Sequence, residues 1–343
     1  MNNPTKLLFI LTLMGGTIVS ISANSWFGAW IGLEINLLSF IPLMSNPHNL
    51  MSTEASLKYF LTQALASATL LFSVIFAALI FSLPNSLMIS NPFLQMLISS
   101  SLLMKMGAAP FHFWFPGVME GLSWMNGLTL MTWQKIAPLI LLSYNFHFDL
   151  FSAFITISSI IIGSLGGLNQ TSLRKILAYS SINHLGWMTA AMVLGENFWN
   201  LYFLIYSFLT LTLILVLHSL NVSHINQTFS MNSISPIVKF SLFTSLLSLG
   251  GLPPFLGFLP KWIIIQALTK AGLTMIVITM VTMTLITLFY YLRLGFSAFM
   301  FSYSENTWAP QAKTMTPLLF IALVLSTLST LGLVICSVLF HTL

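Results

Sequence analysis

Ser101–Pro116 reads SLLMKMGAAPFHFWFP, and Ser245–Pro260 reads SLLSLGGLPPFLGFLP. Laid over one another without gaps, they match at Ser101/Ser245, Leu102/Leu246, Leu103/Leu247, Gly107/Gly251, Pro110/Pro254, Phe111/Phe255 and Pro116/Pro260. Ser, Leu and Phe coincide easily in a chain this apolar. A glycine and two prolines in register do not, because a proline inside a helix removes a backbone hydrogen bond and collides with the preceding turn. Both stretches are therefore expected to be broken helices, around 101–116 and 245–260. A pair of corresponding interruptions, several spans apart, points to a transporter fold built from repeated halves. Two unrelated proline-kinked helices are the plainer alternative.

The setting of the repeat is a membrane. Of 343 residues 57% are hydrophobic and only 5% charged, with a mean hydropathy of +0.94, leaving too little polar surface to coat a soluble globule. The net charge of +5 comes with no basic block longer than Arg174-Lys175, so it bears on loop orientation and not on nucleic-acid binding. A single cysteine, Cys336, excludes an intrachain disulfide and leaves no iron–sulfur or zinc site; it is expected to be apolar filling in the last helix. The N-terminal MNNPTK runs directly into Leu7–Ile21 without the composition of a transit peptide, so the first segment is expected to be retained.

At about 20 residues per span, the chain divides into roughly eleven helices. Their approximate spans are 5–22, 25–44, 54–82, 93–115, 124–145, 150–168, 174–194, 198–219, 237–268, 271–299 and 315–340, with interruptions in the fourth, fifth and ninth. The whole is expected to be one transmembrane domain, 1–343, with a first repeat half at 5–145, a second at 150–299 and a final helix at 315–340. Because the fourth and ninth spans differ by an odd count, the two halves are expected to be inverted. Lys6, Arg174, Lys175, Lys239 and Lys313 fall on the N-terminal side, against Asp149, Glu196 and Lys270 on the other, which is the positive-inside pattern. The N-terminus is accordingly expected on the cytoplasmic or matrix side.

Against this background the charges inside apolar runs stand out: Glu34, Lys105, Lys135 and Lys261. Each opposes insertion by about 2.5–3.5 kcal/mol, and such groups mark ion or proton pathways by default. Lys105 precedes the Gly107/Pro110/Pro116 break, Lys261 follows the Gly251/Pro254/Pro260 break, and Lys135 has Pro138 three residues on. Freed carbonyls and water beside a break can solvate an ammonium. Burial disfavours the charged lysine and a nearby carboxylate favours it, so moving Glu34 relative to Lys105 would switch the lysine between binding and releasing a proton. Driving one charge across 100 mV takes about 2.3 kcal/mol, matched by a swing of about two pKa units or less. A snorkelling or helix-end cation is the competing reading for each lysine. Glu54 and Lys58 form an i,i+4 pair read as either a surface pair or relay members. His184, in AYSSINHLGW, is either a hydrogen-bonded core histidine or a proton carrier among Ser180 and Ser181.

The runs NSWFGAWIGLEINLLSFIPLM, EASLKYFLTQALAS, LLMKMGAAPFHFWFPGVMEGLSW, LTLMTWQKIAPL and RKILAYSSINHLGWM resemble the subunit 2 family of mitochondrial NADH:ubiquinone oxidoreductase, respiratory complex I. The resemblance extends over essentially the whole chain. It implies an all-α, antiporter-like fold and a membrane-arm subunit whose central charged axis drives protons from matrix to intermembrane space. It implies Glu34 as gating carboxylate, Lys105 as its partner, Lys135 as central lysine, Lys261 as exit-side lysine, His184 on the axis and, more loosely, Lys58. It also implies a start at the fourth helix of the fourteen-helix bacterial relatives and no long C-terminal lateral helix. No cofactor is expected on this chain: NADH, FMN, iron–sulfur clusters and ubiquinone would belong to other subunits. Its partners would be other membrane-arm subunits, sister antiporter-like subunits among them, and membrane lipids, with no nucleic acid. The location implied is the mitochondrial inner membrane.

Two rivals use different chemistry. A free-standing cation/proton antiporter would use the same fold and lysines and stays open. A quinone reductase carrying two stacked haems needs histidines about 20 Å apart on one helix, about 13 residues, which the seven histidines do not offer. A purely structural spacer leaves the buried charges unexplained.

Overall fold

The computed structural model describes residues 4–46, 48–81, 91–229, 236–300 and 317–342. Within them the chain is helical: α1 (Pro4–Ser22), α2 (Trp26–Met44), α3 (Leu50–Phe81), α4 (Pro92–Met106), α5 (Trp114–Gly121), α6 (Trp124–Met131), α7 (Trp133–Ser143), α8 (Leu150–Gly166), α9 (Leu173–Leu194), α10 (Glu196–Leu220), α11 (Ile225–Phe229), α12 (Pro236–Gly250), α13 (Phe258–Lys270), α14 (Thr274–Met300) and α15 (Pro317–Thr342). Five of these (in α1, α2, α3, α10 and α14) are long and apolar enough to cross a membrane, and shorter apolar helices lie at Leu150–Gly166, Ile237–Gly250 and Pro317–Leu333. Lys313 and the side chain of Cys336 lie outside the described residues.

Contacts divide the chain into two compact units, Met1–Ile155 and Thr156–Leu343. In the first, α1 packs along α2, α3 lies against α4 and α5, and α7 is enclosed by α1, α2, α4 and α6. The α1–α2 approach depends on small residues, as membrane helix contacts do: a side chain on Gly16 would meet the Asn36 amide at 2.9 Å. In the second, α10 packs on α9, α12, α13 and α15, while α14 lies against α12 and α13. Large apolar side chains such as Leu7, Leu11, Leu61, Phe72, Ile278 and Phe289 remain exposed, as a lipid-facing surface requires.

Both repeats contain a break, built alike. Helix α4 ends at Gly107 with φ +74°, and α12 ends beside Gly251 with φ +80°, the left-handed backbone that glycine adopts at least cost. The Ala108 amide reaches Leu103 O at 3.1 Å and Gly107 reaches Met104 O at 3.3 Å; Leu252 reaches Leu247 O at 3.5 Å and Gly251 reaches Ser248 O at 3.1 Å. Each pair is a Schellman closure, position for position. Pro110 and Pro254 lie in the gaps, whereas Pro116 and Pro260 stand third in the resumed helices α5 and α13. A first-turn proline has no intrahelical bond to lose, so Pro116 and Pro260 are compatible with the restart of the helix.

The fifth span departs from expectation. Pro138 does not interrupt it: α7 runs through Pro138, and the interruption falls at Thr132. There the Thr132 hydroxyl donates to Leu128 O at 2.7 Å, and the Lys135 amide closes a tight turn on Thr132 O at 3.2 Å. A hydroxyl competing for the preceding carbonyl, with a tight turn following, marks the interruption. Helix α5 also continues to Gly121, past the expected end of the fourth span, and α11 is an extra short helix.

Candidate functional site

In the first unit the buried polar groups gather at the end of α4. Lys105 occupies the last turn of α4, and Lys135, only 1% exposed, the first turn of α7. Both line one cavity of about 20 Å³, enough space for about one water, together with Asn36, Tyr59, Gln63 and Gln134. The polar wall is held in place by specific bonds. Gln134 Nε2 donates to Asn36 Oδ1 at 3.0 Å, joining α7 to α2, and Gln63 Nε2 donates to Lys105 O at 3.2 Å, joining α3 to α4. Trp114 Nε1 donates to Met104 O at 3.1 Å, a second donor to a carbonyl that the Gly107 amide already reaches. Phe115, just after the break, presents its ring to the Lys135 ammonium 5.1 Å away, within cation–π range.

Glu34, on α2, is half-buried, and its Oε2 is enclosed without a hydrogen-bond partner among the described residues. It lies within electrostatic reach of Lys105 and Tyr59. Lys58 is elsewhere: 53% exposed, it pairs with Glu54 at 2.6 Å on the outer face of α3. Such an exposed i,i+4 pair contributes little, being screened by solvent, and Lys58 does not line the cavity.

In the second unit, Lys261 donates from Nζ to Gly250 O at 2.9 Å and lies 5.8 Å from the centre of the Trp187 ring. Trp187 stacks on Tyr202, centroids 6.4 Å apart, and the Tyr202 hydroxyl meets His184 Nδ1 at 2.7 Å. Lys261 and His184 therefore belong to one contact chain, Lys261–Trp187–Tyr202–His184. Tyr206 continues it, with its ring 4.9 Å from that of His184. Among the described residues no group of three or more His, Cys, Asp or Glu is arranged to hold a metal ion.

Asn36, Tyr59, Gln63 and Gln134, like Tyr202 and Tyr206, escape a search for charges. A signal for two of them was present: Ser52, Ser56, Tyr59, Gln63 and Ser67, all buried, form a polar stripe at helical spacing along α3.

A family model for the NADH:quinone oxidoreductase/Mrp antiporter transmembrane region matches residues 23–287, and one for the NADH dehydrogenase subunit 2 C-terminus matches 288–340. The chain is 54% identical over 334 residues to NADH-ubiquinone oxidoreductase chain 2 of Anopheles gambiae, covering 97% of each. The chain belongs to the NADH-ubiquinone oxidoreductase chain 2 family. The Locusta migratoria member is 49% identical over 337 residues, covering 98% of this chain and 97% of its own. Among solved structures, a chain of respiratory complex I from Thermus thermophilus superposes with a TM-score of 0.83 at 26% identity, covering 97% of this chain and 79% of that one. A chain of the Mrp complex from Dietzia sp. also reaches 0.83, at 18% identity over 97% of this chain and 75% of that one, a likeness of fold alone.

Proposed function

We propose that Glu34, Lys105, Lys135, His184 and Lys261 carry protons through this subunit, with the Lys105–Lys135 cavity as the exchange point of the first unit. Family membership makes the chain a membrane-arm subunit of NADH:ubiquinone oxidoreductase, EC 7.1.1.2, involved in proton translocation. The observation that carries the relay reading is the shared cavity: two buried lysines from different helices face one polar space large enough for a water. Two ammonium groups there repel each other, while one protonated lysine beside a neutral one is tolerated. A change in the charge of Glu34 biases which state is favoured, and a water in the cavity, beside the amides of Asn36 and Gln134, provides a route for the proton. Lys58 is left out because it is paired with Glu54 on the exposed face of α3 and does not line this cavity.

The same reading has about eleven spans in two inverted halves, 5–145 and 150–299, followed by the helix at 315–340. It puts the chain in the mitochondrial inner membrane, with the N-terminus in the matrix and the C-terminus in the intermembrane space. NADH, FMN, iron–sulfur clusters and ubiquinone are held by other subunits of the complex. Sister antiporter-like subunits and lipid cover the apolar flanks.

The test is proton translocation in sealed inner-membrane vesicles carrying Lys135→Met or Glu34→Gln. The expected result is fewer protons moved per NADH oxidised, with the assembled complex still present on blue-native gels. A normal ratio in both variants overturns the relay.

A further inference from the structure

We infer that Gly251 is a positioning residue for Lys261, setting where its ammonium sits by leaving empty the face over which the lysine folds. This rests on the proposed proton-carrying role of Lys261. After the Schellman closure covers Leu247 and Ser248, Gly250 O at the end of α12 accepts from Lys261 Nζ, which returns from the first turn of α13. To get there the side chain lies across Gly251: a Cβ at that position would meet Lys261 Cδ at 2.9 Å, Nζ at 3.0 Å and Cε at 3.2 Å. Glycine thus meets two separate demands, a φ of +80° and the room for the lysine stem.

These demands can be separated. Gly272 has the same φ of +80°, and a side chain there would meet nothing within 4 Å. Alanine at 251 adds both backbone strain and displacement of the ammonium from the carbonyl at the negative end of α12 and from the Trp187 face. At 272 it adds strain only. A buried ammonium moved off its partners changes its affinity for a proton, so displacement is read in coupling, whereas strain is read in the amount of complex.

The experiment compares Gly251→Ala, Lys261→Ala, the double variant and Gly272→Ala in the assembled complex, measuring protons moved per NADH and complex abundance. Expected are a lowered ratio in Gly251→Ala, no further loss on adding it to Lys261→Ala, and a normal ratio in Gly272→Ala. A normal ratio in Lys261→Ala overturns the proton role of Lys261, and this inference with it. A lowered ratio in Lys261→Ala with a normal one in Gly251→Ala, or losses that add in the double variant, overturns the inference alone. If Gly251→Ala fails to assemble, shortening the lysine should restore assembly in the double variant; failure to do so overturns the inference.

Discussion

The two breaks share one backbone and use it differently. Both end in a left-handed glycine, close two carbonyls in the same register and resume with a proline in the first turn. In the first, the exposed helix end is satisfied by neutral donors, Gln63 on Lys105 O and Trp114 on Met104 O. That leaves the side chain of Lys105 facing the cavity it shares with Lys135. In the second, the lysine itself is the donor to the helix end. One arrangement keeps its cation facing a space where water can exchange; the other commits it to a backbone carbonyl. The backbone motif is shared, and the nearby side chains determine whether its lysine faces a cavity or a backbone carbonyl.

The largest expected effect tests how rigid the second break is. Gly257 is packed so closely that a side chain would overlap Ser248 O and also meet Leu209 at 3.1 Å. Its partner is backbone, which cannot swing aside, so Gly257→Ala should remove most of the assembled complex on blue-native gels. Near-normal abundance would show that the second break deforms easily, and the contrast with the first would lose its basis. Next comes Trp114→Phe, which keeps a ring against Tyr59 but removes the side-chain donor from Met104 O. The Gly107 amide still reaches that carbonyl, so the loss is that of one hydrogen bond, about 0.5–1.5 kcal/mol. Thermal inactivation of the complex should shift to lower temperature, and an unchanged transition would mean that the Gly107 amide alone suffices for this carbonyl.

The breaks were legible because they follow from local rules. Gly107/Gly251 and Pro110/Pro254 restrict the chain wherever they stand, and two matching sets in register leave little else for it to do. The lysines were legible as charges in apolar runs, which lipid makes costly. What could not be read is what depends on one helix meeting another: that Lys105 and Lys135 share a cavity, that Gln134 meets Asn36, or that Lys261 folds back to Gly250. The exposure of Lys58 on α3 is of the same kind, since sequence spacing pairs it with Glu54 without saying which face the pair occupies. Pro138 shows the limit of the local rules themselves. The helix is interrupted at Thr132, before the proline is reached, and runs through Pro138 itself.

The smallest expected effect bears on the same comparison from the outside. In the register of the repeat Gly257 corresponds to Phe113, and where Gly257 has no room for a methyl group, Phe113 is 82% exposed, touching His112 with ring centroids 4.3 Å apart. Within this chain little holds Phe113, so Phe113→Ala should alter stability by no more than about 0.5 kcal/mol. Thermal inactivation and abundance of the complex should both stay close to those of the parent. A clear loss of complex would mean that the first break is closed from outside, by a neighbouring subunit seated on Phe113, just as the second is closed from within by Ser248. The two breaks would then differ in who supplies the closing surface, and the freedom of Lys105 would depend on that neighbour.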